Sequence, residues 1–273
     1  MLPWATELEK VDGDVYERLS PRRRAMQQFF GLSGKVAAAA LPFALGSLFK
    51  KAYAQGGTGI LDVLNFALTL EYLEAEFYRR AVEESPGLIP SGAPINAITT
   101  IATHEAQHVN FLKTAITASG GTPVDSPSFD FTAGGLFNDV FTNYATFLAV
   151  AQAFEDTGVR AYKGQAGFLM SNNDVLTAAL NIHSVEARHA SHIRQMRKAN
   201  NQGDVKPWIT GNQSGIGSNA VQPIYNGEEL TVQATIQITG INGTDVTADA
   251  ASECFDEPLD KAQVLAIVDP FII

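Results

Sequence analysis

The chain has 273 residues, 45% of them hydrophobic and 18% charged, with 19 basic and 29 acidic side chains and a formal charge of −10. The apolar fraction excludes wholesale disorder, and the acidity excludes a protein that grips a phosphate backbone. A single cysteine, Cys254, excludes an intrachain disulfide and a thiolate-rich zinc site. The charge is unevenly divided: residues 1–54 hold eight basic and five acidic side chains, leaving a net −13 on residues 55–273. Composition and periodicity divide the chain into an N-terminal prefix with a signal segment (1–54), a helical bundle (55–200) and a C-terminal extension (201–273).

In the prefix, Arg22, Arg23 and Arg24 precede an apolar run from Val36 to Phe49, followed by Lys50, Lys51 and the small-residue site Ala52-Tyr53-Ala54. A basic segment, an apolar run of about 14 residues and an A-x-A site have the form of a secretory signal. A transmembrane helix needs about 20 apolar residues, and this run contains Pro42 and Gly46, so no stable span is expected. The arginine run resembles a twin-arginine export signal. That resemblance implies a periplasmic or exported protein, and such signals often carry folded proteins that already hold a metal. Leu8, Val11, Val15 and Leu19 lie at helical spacing, which leaves a second expectation: an uncleaved amphipathic arm resting on the body or on a membrane surface.

From Gly59 to Asn200 the apolar pattern is helical. Leu64, Leu68, Glu71, Ala75, Tyr78 and Val82 form the first stripe, and Ile98, Ile101, Glu105, His108, Leu112 and Ala115 the second. Leu148, Ala151, Glu155 and Tyr162 form the third, and Val175, Ala179, Ile182, Glu186, His189, Ile193 and Met196 the fourth. Steps of three and four place each set on one helix face turned to a core. Pro- and Gly-containing breaks near 85–92 and 120–135 separate the first three segments, and Ser171-Asn172-Asn173-Asp174 supplies an N-cap for the fourth. The break between segments two and three is long enough to run the length of a bundle, which predicts an all-α four-helix bundle with a long crossover between helices 2 and 3. The halves repeat: at an offset of 84 Glu71 falls on Glu155 and Tyr78 on Tyr162, and at 81 Glu105 falls on Glu186 and His108 on His189. Two helical hairpins related by a pseudo-twofold axis follow from that repeat.

Six polar residues, Glu71, Glu105, His108, Glu155, Glu186 and His189, interrupt the apolar stripes. A carboxylate in a dry core costs several kcal/mol unless paired or neutralised, and no matching lysines or arginines occupy the stripes. Two divalent cations would balance four carboxylates and also accept imidazole nitrogen. Residues three apart share a helix face, so Glu105/His108 and Glu186/His189 can each present one oxygen and one nitrogen to a common site. About 0.3 Glu-x-x-His pairs are expected by chance among 15 glutamates and five histidines; two are present. With Glu-x6-Tyr segments on the first and third helices, this pattern resembles the ferritin-like superfamily, in particular exported bacterial ferritin-like domain proteins, over about Gly59 to Asn200. The resemblance implies a dinuclear centre of two iron or manganese ions. Its ligands are Glu71, Glu105, His108, Glu155, Glu186 and His189, with Glu105 and Glu186 the favoured bridges.

The function expected of such a centre is reaction with dioxygen or hydrogen peroxide, as an oxidase, a ferroxidase or a peroxide-detoxifying enzyme of the manganese-catalase kind. Metal binding or storage without turnover, and a structural role in stress or desiccation, are the alternatives. No cysteine set for a rubredoxin-like centre is present, and a homo-oligomer is compatible with the sequence. Outside the six residues, the bland assignment is favoured. His104, His183 and His192 are expected on helix flanks, with a supporting role behind the site as the other option. Glu74, one turn from Glu71, could add a ligand, but a solvated flank is the favoured assignment for it and for Glu76; Asp156 and Arg160 are expected as a surface i,i+4 pair, and Cys254 as a buried thiol. Tyr78 and Tyr162 read as core aromatics whose hydroxyls could bond a ligating carboxylate. In the extension, Val232, Ala234, Ile236 and Ile238 alternate as a strand, Asn242-Gly243 predicts a hairpin turn, and Leu259–Val268 predicts a short helix.

Overall fold

The computed structural model describes residues 59–273; the expectations for the export signal and the amphipathic arm fall outside them. Helix α1 (Gly59–Arg79) carries Asp62 in its first turn and Arg79 in its last, each complementing the helix dipole, and runs on through a π-helical turn at Arg80–Glu84. Helix α2 (Ala93–Ala118) opens on Pro94, whose missing N–H is an unpaired donor at a helix start in any case. Helix α3 (Tyr144–Ala166) is capped by Asn143, whose side chain accepts the Ala145 N–H at 3.0 Å. Helix α4 (Asn173–Ala199) is capped by Asn172, which accepts the N–H groups of Asp174 and Val175, both at 3.2 Å. The cap falls within the expected stretch. Among the described residues no helix is long and apolar enough to cross a membrane.

The helices pair as two hairpins, α1 with α2 and α3 with α4. Residues 119–143 join them and return along α1. Asn65 holds the start of this segment, accepting the Val124 N–H at 2.9 Å; the Tyr72 hydroxyl donates to the Val124 carbonyl at 3.2 Å; and Phe131 packs on Phe77 near the far end of the helix. The crossover therefore traverses the bundle as the sequence predicts. Phe77 is fully buried, with the rings of Tyr78, Phe131, Phe141, Phe147 and Phe154 at 5.0–5.6 Å. This aromatic cluster fixes the end of α1 against the start of α3, each buried ring contributing about 2–3 kcal/mol.

The extension lies mainly along α3. It holds α5 (Gln222–Tyr225), strands β1 (Val232–Gln233) and β2 (Ile236–Gln237), α6 (Ala248–Ser252) and α7 (Lys261–Val268). Helix α7 is closed by a capping box in which Asp260 and Gln263 bond each other's backbone. The hairpin is present, but its turn is at Ala234-Thr235, both with positive φ, and not at Asn242-Gly243. Of the four alternating residues, Val232 lies on β1 and Ile236 on β2, with Ala234 in the turn and Ile238 just past β2, and Asn242-Gly243 sits in a separate loop closed by the Gly240 N–H on the Val246 carbonyl at 3.1 Å. Cys254 is exposed, not buried.

Asp156 and Arg160 are also not a surface pair: they are 3% and 1% exposed. Asp156 bonds the guanidinium of Arg194 and accepts from the Tyr225 hydroxyl at 2.7 Å. The Arg160 guanidinium lies 2.7 Å from Glu228 and donates to the carbonyls of Glu257, Ile224 and Asn226. Two guanidinium groups thus tie α3 to α4 and to the extension. Close approach of the last segment also needs Gly164, where a Cβ would come within 1.9 Å of the Leu259 carbonyl oxygen.

Candidate metal centre

All six polar residues of the stripes meet in the middle of the bundle. Glu71 comes from α1, Glu105 and His108 from α2, Glu155 from α3, and Glu186 and His189 from α4. The four glutamates are 0% exposed. Donor atoms of Glu71, Glu105, His108 and Glu186 lie within 4.8 Å of one another, as do those of Glu105, Glu155, Glu186 and His189. Glu105 and Glu186 belong to both groups, and each remaining Glu/His pair belongs to one.

The two hairpins support each other symmetrically. The Tyr78 hydroxyl donates to Glu155 Oε1 at 2.5 Å, and the Tyr162 hydroxyl donates to Glu71 Oε1. Burial, reinforced by the nearby carboxylates, pushes both phenols well above their ordinary range. They therefore keep their protons and act as donors. Each tyrosine fixes the glutamate of the other hairpin, so the option of a hydroxyl bonded to a site carboxylate is the one observed.

The donor set fits divalent cations better than it fits its own protons. His108 Nδ1 lies 3.1 Å from Glu71 Oε2, 3.0 Å from Glu105 Oε2 and 3.3 Å from Glu186 Oε1. One N–H cannot serve three oxygens. His189 Nδ1 lies 2.8 Å from Glu105 Oε1 and 3.3 Å from Glu155 Oε2, yet out of line for a hydrogen bond. Glu105 Oε1, Glu155 Oε2, both oxygens of Glu186 and His189 Nδ1 are all buried without a hydrogen-bond partner among the described residues. Buried orphan acceptors are rare and need an account. Donors about 2.1 Å from one ion stand about 3 Å apart when adjacent, which is the spacing found.

The electrostatics carry the same signature. Burial pushes Glu71 up to about 7, against the pull of His108. Burial and the charges of Glu105 and Glu71 push Glu186 well up. Burial also raises Glu105, but the His108 hydrogen bond and the close imidazole of His189 outweigh it and hold that carboxyl at about 2. For His189 burial works downward, and the charge of Glu155 with the Glu105 contact brings it up to about 11.

Two neighbours lie closer to the centre than their favoured assignments place them. Glu74, assigned to a solvated flank, is buried beside Glu186. His104 Nδ1 lies 3.0 Å from His189 Nε2, and the two rings stack with centroids 5.2 Å apart. When His189 offers Nδ1 to an ion, its Nε2 proton is directed at His104, which fixes ring and tautomer. His183 instead contacts the Val159 carbonyl, and His192 is exposed. Glu76 pairs with Arg79 and Arg80 on the outside of α1. The i,i+3 spacing of Glu71 and Glu74 was the available signal for the buried acid. An apolar cavity between the four helices, lined by Leu64, Ala67, Leu112, Tyr162 and Ile182 among others, adjoins the cluster on the Tyr162 side.

Comparison with known families agrees with this geometry: a family model described as a ferritin-like domain matches residues 59–199, just over half of the chain. No curated protein matches it. Two paired helical hairpins, a crossover returning along α1, and buried Glu/His groups compatible with a carboxylate metal site accompany that match, and the chain belongs to the ferritin-like domain family.

Proposed function

We propose that the chain is a dinuclear iron or manganese carboxylate protein that reacts with dioxygen or hydrogen peroxide, working in the cell envelope after export through its arginine-containing leader. The observation that carries this reading is the pair of overlapping donor groups sharing Glu105 and Glu186. Glu71 and His108 would hold one ion, Glu155 and His189 the other, and Glu105 and Glu186 both. Bound there, such a pair supplies one-electron redox chemistry at each ion, and hence the two electrons that peroxide reduction needs. Tyr78 and Tyr162 hold the two outer carboxylates in place, and His104 orients His189. The apolar walls around Leu64, Leu112 and Ile182 exclude bulk water and admit only small reactants, which favours dioxygen or peroxide over a bulky substrate.

Elemental analysis of protein purified from its host, followed by anaerobic loading with ferrous or manganous ion and exposure to peroxide, tests the proposal. Two ions per chain and metal-dependent peroxide consumption, lost in the Glu105→Gln/Glu186→Gln double variant, are expected. Fewer than about one ion per chain contradicts a two-ion centre. The complete burial of all four glutamates favours, as the second reading, ions retained for structural stability, since structural sites are closed. Full loading with no reaction toward either oxidant selects it.

A further inference from the structure

Helix α1 carries one acid that the six-residue set does not use. Glu74 lies one turn beyond Glu71 and is 3% exposed. The charges acting on it most strongly are those of Glu186, Glu155, Glu105 and Glu71, all of one sign. A buried carboxylate surrounded by carboxylates is unfavourable unless positive charge reaches it. Stability alone does not account for an acid here, because leucine or glutamine of similar size would avoid the repulsion.

The pseudo-twofold repeat shows how the acid is accommodated. The offset of 84 that matches Glu71 with Glu155 places Glu74 on Gly158. This glycine lies within α3 with ordinary helical φ, so it is not there for backbone freedom. A Cβ on Gly158 would lie 2.8 Å from Glu186 Oε2 and 3.2 Å from Glu74 Oε1. The missing side chain on one hairpin thus makes space for the additional acid of the other. Both carboxylates face the same point on α3, and both Glu186 oxygens are buried without a hydrogen-bond partner among the described residues. A cavity of about 10 Å³, lined by Glu74, Thr157 and Gly158 with Leu70, Leu73, Phe154 and Val268 but not by Glu186, adjoins Glu74, about the room one water occupies.

We propose that Glu74 is a seventh donor of the centre, engaging a divalent ion together with Glu186 from the side that Gly158 leaves open. The inference rests on the metal-centre reading above. It makes the two ion positions unequal, because the extra acid has no counterpart in the second hairpin.

The test is Mn2+ uptake by metal-free full chain, read from the electron paramagnetic resonance of free Mn2+, with Zn2+ calorimetry as a redox-silent second probe. Wild type, Glu74→Gln, Gly158→Ala and the exposed control Glu83→Gln are compared. Glu74→Gln and Gly158→Ala are expected to weaken one of the two binding steps about tenfold or more, and Glu83→Gln to leave both within about twofold. Wild-type affinity at both steps in Glu74→Gln overturns the inference alone. A wild-type chain that takes up neither ion overturns the metal-centre reading and this inference together. Should Glu74→Gln fail to fold, Glu74→Asp, which retains the charge but withdraws it from Glu186, is expected to weaken the same step, and unchanged binding overturns the inference.

Discussion

Replacing Asp156 with asparagine separates a buried ion pair from the surface pair that helical spacing implies. Asp156 and Arg194 are 3% and 2% exposed, their charged atoms are in direct contact, and the Tyr225 hydroxyl donates to the same carboxylate at 2.7 Å. Asparagine keeps the shape but leaves the Arg194 guanidinium buried without a counter-charge. Breaking one side of such a pair costs about 3–5 kcal/mol. For a body of this size, 2–4 °C accompanies each kcal/mol, so a fall in melting temperature of roughly 10–15 °C is expected. An exposed i,i+4 pair between Asp156 and Arg160 contributes less than about 0.5 kcal/mol, a shift of one or two degrees. Thermal unfolding of metal-free protein followed by far-ultraviolet circular dichroism distinguishes the two. Asp156→Asn/Arg194→Met, which removes the uncompensated guanidinium, is expected to recover part of the loss. A melting temperature within 2 °C of wild type for Asp156→Asn alone refutes the buried-pair assignment.

Three further outcomes follow from the same geometry. Tyr78→Phe and Tyr162→Phe each remove one hydrogen bond to an outer carboxylate, and each is expected to weaken Mn2+ binding about 10- to 100-fold by calorimetry; affinities within twofold of wild type contradict the positioning role. Burial pushes Glu228 up to about 7 in the folded chain, against the pull of Arg160 and the Glu257 N–H, so the folded state retains a proton that the unfolded state has released above about 4.5. Stability is therefore expected to fall by about 3 kcal/mol as pH rises from about 4.5 to 7, and subtracting a Glu228→Gln denaturation series from wild type isolates that slope; equal slopes refute it. Gly164→Ala brings a Cβ to 1.9 Å from the Leu259 carbonyl oxygen and is expected to release the last segment to limited proteolysis, whereas wild-type resistance shows that the segment does not pack there.

The sequence by itself determined the elements and the constellation. Helix periodicity, the cap signal in Ser171-Asn172-Asn173-Asp174 and the long second break define four helices and a crossover, because each depends on residues within a few positions of one another. The six-residue cluster was legible for a related reason: glutamate and histidine in an apolar stripe conflict with local patterning, and two Glu-x-x-His pairs at matching offsets leave few arrangements that resolve the conflict. Tertiary structure decided what covers each helix. Helix α3 reads as amphipathic, yet Val150 to Tyr162 is buried on nearly every side, because the extension contributes Tyr225, Glu228 and Leu259 to its outer face. Asp156 and Arg160 change from surface charges to buried anchors through partners 38 to 97 residues away. Glu74 is buried because Gly158, on another helix, has no side chain to exclude it. Burial of a polar group depends on which distant segment arrives opposite it, and helical periodicity carries no information about that segment.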